Sequence, residues 1–245
     1  MAFDLTRLLW DGASVRTLRP ARTAAGTNRG SVAERSRAAA PPADLRGDDV
    51  RRVCLGGCLV DLVTQAHLHR IVEQQLTSPG PTPRLVASAN LDHITYFGGS
   101  PAGDGLDPGR MDDWLVLLDG APMVRAARHL TRLPYPRLAG ADLLPELFGL
   151  AEAKGRSVAV LGGRPEIREP LAEAIRRNWP GLRVVAHLTP TRAELLDPES
   201  SRRIVTHLAD LAPDLLVVGL GKPLQERWMA EYGRETGARI VVAFG

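Results

Sequence analysis

From Arg52 onward the sequence alternates short apolar runs with stretches of helical periodicity, and this alternation limits the fold more than any other feature. Strands separated by helices must be joined by crossovers, which predicts an α/β, Rossmann-like domain with a mostly parallel sheet flanked by helices. The runs Val53 to Leu55, Leu85 to Ala87, Trp114 to Leu118, Val158 to Leu161, Leu182 to Ala186, Leu215 to Val218 and Arg239 to Ala243 predict about seven strands. Helices are predicted over Asp61 to Leu76, Leu91 to Phe97, Pro122 to Leu133, Leu143 to Lys154, Glu166 to Trp179 and Glu199 to Leu211, with another opening at Pro223. Residues 1–50 are rich in Ala, Arg and Pro and poor in large apolar side chains, so they are predicted to be a disordered tail before a domain at 51–245.

The stretch from Asp214 to Trp228 carries the clearest chemical signal. A β-branched apolar run, Leu215 to Val218, is broken by Gly219 and Gly221, and Pro223 suits the start of a helix whose apolar stripe is Leu224, Trp228 and Met229. At a strand, glycine loop and helix junction, backbone N–H groups and the positive helix end face the space beyond the strand and suit an anion. Lys222 is expected to add a mobile charge, and Gln225 and Glu226 to present polar groups from the first helical turn. An ordinary tight turn explains the two glycines equally simply.

Gly162 and Gly163 form a second junction of this kind, able to hold phosphate or sugar. Ser88 and Asn90 fall just past a strand's carboxyl end, where open α/β sheets bind ligands, although Asn90 is also a good N-cap for the next helix. Asp119 ends the third predicted strand and precedes Gly120, which makes it either a candidate general base or a turn aspartate. Asp142 is read as a helix cap, while Arg137 offers a planar fork of donors near a helix start, as a diphosphate or carboxylate requires. Gly98 to Arg110, with Asp104 and Asp107, reads as a flexible loop.

Other function classes find little support. A formal charge of +3 and 4% aromatic residues disfavour nucleic acid. The dispersed histidines predict no metal site, and the lack of an Asp-x-Asp after a strand removes the usual holder of a metal against a diphosphate. Cys54 and Cys58 suggest buried or half-buried residues rather than a disulfide or zinc ligands. No run is long and apolar enough to span a bilayer, and Asp4 and Arg7 interrupt the N-terminal segment where a signal peptide needs an apolar core, so a cytoplasmic protein is expected. A nicotinamide-dependent dehydrogenase has only the glycine turns in its favour, because no Gly-x-Gly-x-x-Gly follows the first strand.

Taken together, five pieces resemble the WecG/TagA/CpsF family of bacterial glycosyltransferases. Leu85 to Asn90 is similar to its strand ending in Thr-x-Asn, with Ser88 in place of threonine, and Leu117 to Gly120 to its Asp-Gly. Arg137 to Leu143 is similar to its Arg-Val-x-Gly-x-Asp-Leu, Leu161 to Gly163 to its Gly-Gly turn, and Gly219 to Trp228 to its Gly-x-Gly-x-Pro-x-Gln-Glu-x-Trp. The resemblance implies inverting, metal-independent transfer of an N-acetylmannosaminyl or related sugar from a UDP-sugar to a polyprenyl-diphosphate-linked saccharide, at the inner face of the cell membrane and without a cofactor. It implies Asp119 as base, Arg137 as a diphosphate contact, and Ser88, Asn90 and Gln225 as pocket residues. A homo-oligomer is also compatible with it. The family continues into an Ala-Phe-Asp-Phe segment and a basic C-terminal appendage, whereas this sequence ends at Gly245, so the appendage is expected to be missing. A noncatalytic nucleotide-sugar-binding protein is the alternative expectation.

Overall fold

The computed structural model describes residues 50–98 and 106–243. Residues 1–49 of the predicted tail and Asp104 of the predicted loop lie outside the described residues, whereas Val50 packs against the core. Eight strands form one sheet in the order β1-β2-β4-β3-β8-β7-β5-β6. They are β1 (Arg51–Leu55), β2 (Cys58–Leu62), β3 (Arg84–Ala89), β4 (Trp114–Leu118), β5 (Ser157–Gly162), β6 (Arg183–Leu188), β7 (Leu215–Gly219) and β8 (Ile240–Ala243). All neighbours are parallel except β1 and β2. The Rossmann-like expectation therefore holds, with one strand more than the sequence predicted.

The extra strand corrects the helix predicted from Asp61. Gly56 and Gly57, at φ +56° and +91°, turn β1 back on β2 with Leu55 opposite Cys58. Only glycine fits the second position, because a Cβ on Gly57 would lie 2.2 Å from the Gly98 carbonyl oxygen. Asp61 is thus a strand residue, buried, accepting from Arg52 Nε at 2.8 Å and from the Val116 N–H at 2.7 Å. The helix starts later, as α1 (Gln65–Thr77), where the Thr64 side chain caps it by accepting the His67 N–H. Cys58 is buried as expected, and burial pushes its thiol up to about 12, which leaves it unreactive; Cys54 is exposed, against expectation.

The remaining helices are α2 (Leu91–Phe97), α3 (Ala121–Thr131), α4 (Gly140–Ala153), α5 (Arg168–Asn178), α6 (Arg192–Leu196), α7 (Pro198–Leu211) and α8 (Leu224–Tyr232). On the first face of the sheet, Leu68 and Val72 of α1, Leu147 and Phe148 of α4, and Leu171 and Ile175 of α5 cover Val86, Val160, Val217 and Val242. On the second face, Met123 of α3, Val205 and Leu208 of α7, and Trp228 and Met229 of α8 cover Leu85, Leu161, Val218 and Val241. Leu215 to Val218 of β7 are each at most 2% exposed, and burial at roughly 1.5–3 kcal/mol per large side chain fixes this strand in the interior. The predicted loop before β4 ends in a short 3₁₀ turn, Pro108–Arg110, in which the buried Asp107 accepts from Gly109 N–H and Arg110 Nε.

Right-handed crossovers explain which face α1, α4, α5, α7 and α8 take. Steps from β2 to β3, β4 to β5 and β5 to β6 run one way along the sheet and bring α1, α4 and α5 to the first face; steps from β6 to β7 and β7 to β8 run back and bring α7 and α8 to the second. Connections from adjacent strands therefore leave in opposite directions at β4/β3, at β7/β5 and at β5/β6. Crevices at such reversals, beyond the carboxyl ends of the strands, are where open α/β sheets take ligands.

Candidate active site

Two of these reversals, β4/β3 and β7/β5, gather nearly all the residues singled out in the sequence. At the first, register sets Ser88 beside Leu117 and Ala89 beside Leu118, and the Asp119 N–H extends the ladder to the Ala89 carbonyl at 3.1 Å. Val86 and Leu117 both face the first side, so Ser88 and Asp119, two residues further along their strands, project the same way. Arg137 is drawn to this place by its neighbour, since the Leu138 N–H donates to the Leu118 carbonyl at 2.8 Å. At the second reversal Gly162 stands beside Gly219, and the Gly163 N–H reaches the Gly219 carbonyl at 3.3 Å.

Asp119 is half-buried, and its Oδ1 accepts the Gly120 N–H at 2.6 Å. Burial lifts its carboxyl above the ordinary aspartate value, and Asp142 adds to this; the Gly120 N–H, Arg137 and Lys222 pull the other way without cancelling it. The net direction, which sequence could not give, is therefore upward. Gly120 sits at φ +80°, a conformation that favours glycine, at the start of α3. Arg137 is exposed and pairs with Asp142 at 2.7 Å, so Asp142 is not the cap predicted for α4; that helix opens three residues earlier than predicted, with Ala139 at its N-cap. Asn90 does cap α2, its Oδ1 accepting the His93 N–H at 3.0 Å.

The four glycines differ in what they require. A Cβ on Gly162, at φ +124°, would lie 2.1 Å from the Gly219 oxygen, so close approach of two strands dictates that residue. Gly163 has φ +79° and packs on Ile167, and Gly221 has φ +75° with nothing near it. Gly219 needs neither: its backbone suits any residue, and a Cβ there would meet nothing within 4 Å. The fold leaves open space in front of that turn.

The group behind the turn differs from expectation. Lys222 is not a mobile charge: its side chain is 4% exposed and paired with Glu226 at 2.5 Å. Gln225 and Glu226 are fully buried and point inward rather than outward, Gln225 taking the Gly221 N–H at 3.1 Å. Two histidines that the sequence did not single out belong here. His93, fully buried with neither ring nitrogen hydrogen-bonded, is pushed down to about 3 by burial and then by Lys222, so it is neutral. His187 is held lower than usual by burial, and its Nε2 meets the Gly162 carbonyl oxygen at 3.1 Å. Among the described residues no three His, Cys, Asp or Glu side chains come together as a metal site, and no helix is long and apolar enough to cross a membrane.

A half-buried carboxylate beside an arginine at one reversal, and two glycine turns with an open approach at the other, can hold an extended anionic ligand and accept a proton from a second molecule. The profile of the Glycosyl transferase WecG/TagA/CpsF family matches residues 53–245. The chain belongs to that family. Within the WecG/TagA/CpsF family, it is similar to the N-acetylglucosaminyldiphosphoundecaprenol N-acetyl-beta-D-mannosaminyltransferase of Staphylococcus aureus strain MRSA252, 24% identical over 130 residues, which are 53% of this chain and 49% of that protein. The enzyme of the same name from Staphylococcus aureus strain NCTC 8325 / PS 47 matches with the same identity and coverage. The match thus spans about half the length of these curated relatives.

Proposed function

We propose that this WecG/TagA/CpsF protein transfers an N-acetylmannosaminyl or related sugar from a UDP-sugar to a polyprenyl-diphosphate-linked saccharide, with inversion and without a metal. The observation that carries this reading is Asp119, half-buried at the carboxyl edge beside Arg137 with its carboxyl lifted above the ordinary value. The acceptor and sugar follow the names of the Staphylococcus aureus relatives. A membrane-borne acceptor would bring the protein to the inner membrane face as a peripheral component.

In this reading the acceptor hydroxyl oxygen attacks the anomeric carbon, its proton passes to Asp119, and the bond from that carbon to the diphosphate oxygen breaks. A carboxylate whose proton affinity has been raised is the stronger base for this step. Arg137 stabilises the charge that grows on the diphosphate, and the open space in front of Gly219 and Gly221, beside the Gly162-Gly163 turn, takes the nucleotide end of the donor. Ser88 and Asn90 line the side next to Asp119, and Gln225 holds the turn from within.

The test is incubation with a panel of UDP-sugars and an N-acetylglucosaminyl-diphospho-lipid analogue, with release of UDP and glycosylated lipid as readouts. Transfer by the wild-type chain supports the proposal. UDP-sugar binding by calorimetry with no transfer would leave a nucleotide-sugar-binding protein in its place.

A further inference from the structure

The turn after β7 is held by side chains that face the interior. Lys222 Nζ donates to the Ser88 carbonyl oxygen at 2.8 Å and to Glu226 Oε1 at 2.5 Å. Gln225 Nε2 donates to the same Glu226 oxygen at 3.1 Å, and Gln225 Oε1 accepts the Gly221 N–H at 3.1 Å. An unbroken chain of polar contacts therefore runs from the Gly221 backbone through Gln225, Glu226 and Lys222 to the end of β3. Strands β3 and β7 are not neighbours, because β8 lies between them and pairs Ala243 with Ala87 on one side and Val218 on the other. The side-chain route is thus a direct tie between two strand ends that the backbone ladder joins only through a third.

Two features argue that this tie stays closed when a ligand arrives. The Glu226 carboxylate is fully buried, and its Oε2 has no hydrogen-bond partner even with Lys222 in place. Swinging Lys222 out to a diphosphate would strand that charge in the interior, which is strongly unfavourable. The ammonium is also already engaged by two acceptors on the protein.

We infer that Lys222 and Glu226 are a positioning pair that fixes the Gly219–Gly221 turn relative to the Ser88–Asn90 end of β3, and so to Asp119 on the next strand, without contacting either substrate. This inference rests on the proposed role of that turn in holding the donor. Displacement of the turn by about 1 Å is enough to cost roughly a hundredfold in rate when reacting groups must align. Among the described residues the charged groups that face Asp119 are Arg137, Lys222 and Asp142, so loss of the lysine also removes one of the two described cations that favour its ionised form.

The test uses the full chain with Lys222→Met/Glu226→Gln, which replaces the pair by neutral groups of similar size and leaves no buried charge unpaired. Readouts are UDP affinity by calorimetry, kcat and KM for the UDP-sugar, and the titration of the Asp119 carboxyl by carbon NMR. The expected result is UDP affinity within about threefold of wild type, kcat lowered roughly ten- to hundredfold, and an Asp119 midpoint moved to higher pH. UDP affinity lowered about tenfold or more with kcat retained at saturation would make Lys222 a diphosphate ligand and overturn the inference. Unchanged values throughout would overturn it as well. If the double variant does not fold, Lys222→Arg is measured in the same way: an Asp119 midpoint at the wild-type value with lowered kcat and intact UDP affinity supports the inference, and any other pattern overturns it. A wild-type chain that binds UDP but transfers no sugar overturns the proposed reaction alone, because UDP affinity and the Asp119 titration still report on the pair.

Discussion

Replacing Asp119 by asparagine separates catalysis from architecture, because the two shapes are nearly identical and only the charge and basicity differ. The hydrogen bond from the Gly120 N–H, 2.6 Å in the native protein, can still be accepted by the asparagine oxygen, though without the strengthening that a negative charge gives. Against that loss stands a gain. The fold raises the Asp119 carboxyl, so the contribution of this group to stability is present below the ordinary aspartate range and is lost as pH rises through the raised value. At neutral pH the ionised group opposes folding slightly, and asparagine removes that opposition. The two effects have opposite signs, and the net change in stability is expected within about 1 kcal/mol. Turnover should instead fall roughly 10²- to 10⁴-fold, or about 2.7–5.5 kcal/mol in barrier height. Thermal unfolding, UDP calorimetry and steady-state transfer assays on the same preparation read all three quantities. The wild-type kcat should also rise with pH along an acid limb centred above the ordinary aspartate value, and that limb should vanish in the variant. Turnover within about threefold of wild type would return Asp119 to the role of a strand-ending turn residue and refute the reasoning.

Arg137→Ala should weaken UDP-sugar binding and lower turnover while leaving the melting temperature nearly unchanged, since the pair with Asp142 is exposed and worth at most about 1 kcal/mol; calorimetry and thermal unfolding decide it. Gly162→Ala should destabilise the fold by roughly 1–3 kcal/mol or more, seen in denaturant titration, because its methyl group would press on the Gly219 oxygen at 2.1 Å. Gly219→Ala should fold normally, having no neighbour within 4 Å, yet lose affinity for UDP-sugar if the donor lies against that turn. Affinity for UDP-sugar should survive a chelator, and affinity abolished by chelation and restored by magnesium or manganese would contradict the metal-independent reading.

Much of the sheet could be read from local pattern, because Leu215–Gly219 or Trp114–Leu118 can scarcely be anything but buried strands. The positions of Asp119, Ser88 and the glycines followed, since a residue at the end of a parallel strand lies at the carboxyl edge whatever the strand order. The hairpin at Gly56-Gly57 is harder to read, although two glycines between apolar runs are a hairpin signal, because the stretch after them, Cys58 to Leu62, merges with the apolar period of α1 and hides the break. What sequence cannot hold is orientation set by distant partners. Lys222 faces inward because of the Ser88 carbonyl, 134 residues away in the chain, and nothing around Lys222 announces that partner. The neutral state of His93 likewise comes from burial, which no local pattern reveals.

The spacing between the β4/β3 and β7/β5 reversals sets a minimum length for a ligand that bridges them. From β4, which carries Asp119, the sheet passes through β3 and β8 before reaching β7, three interstrand steps. At roughly 4.8 Å per step the span is about 14 Å. A single sugar ring is narrower than two such steps, so a free sugar, even one bearing a phosphate, reaches one end of the edge and leaves the other empty. In the proposed reaction a nucleoside joined to its sugar through two phosphates is long enough for the whole distance, and the sheet would thereby screen donors by length before any side chain recognises them.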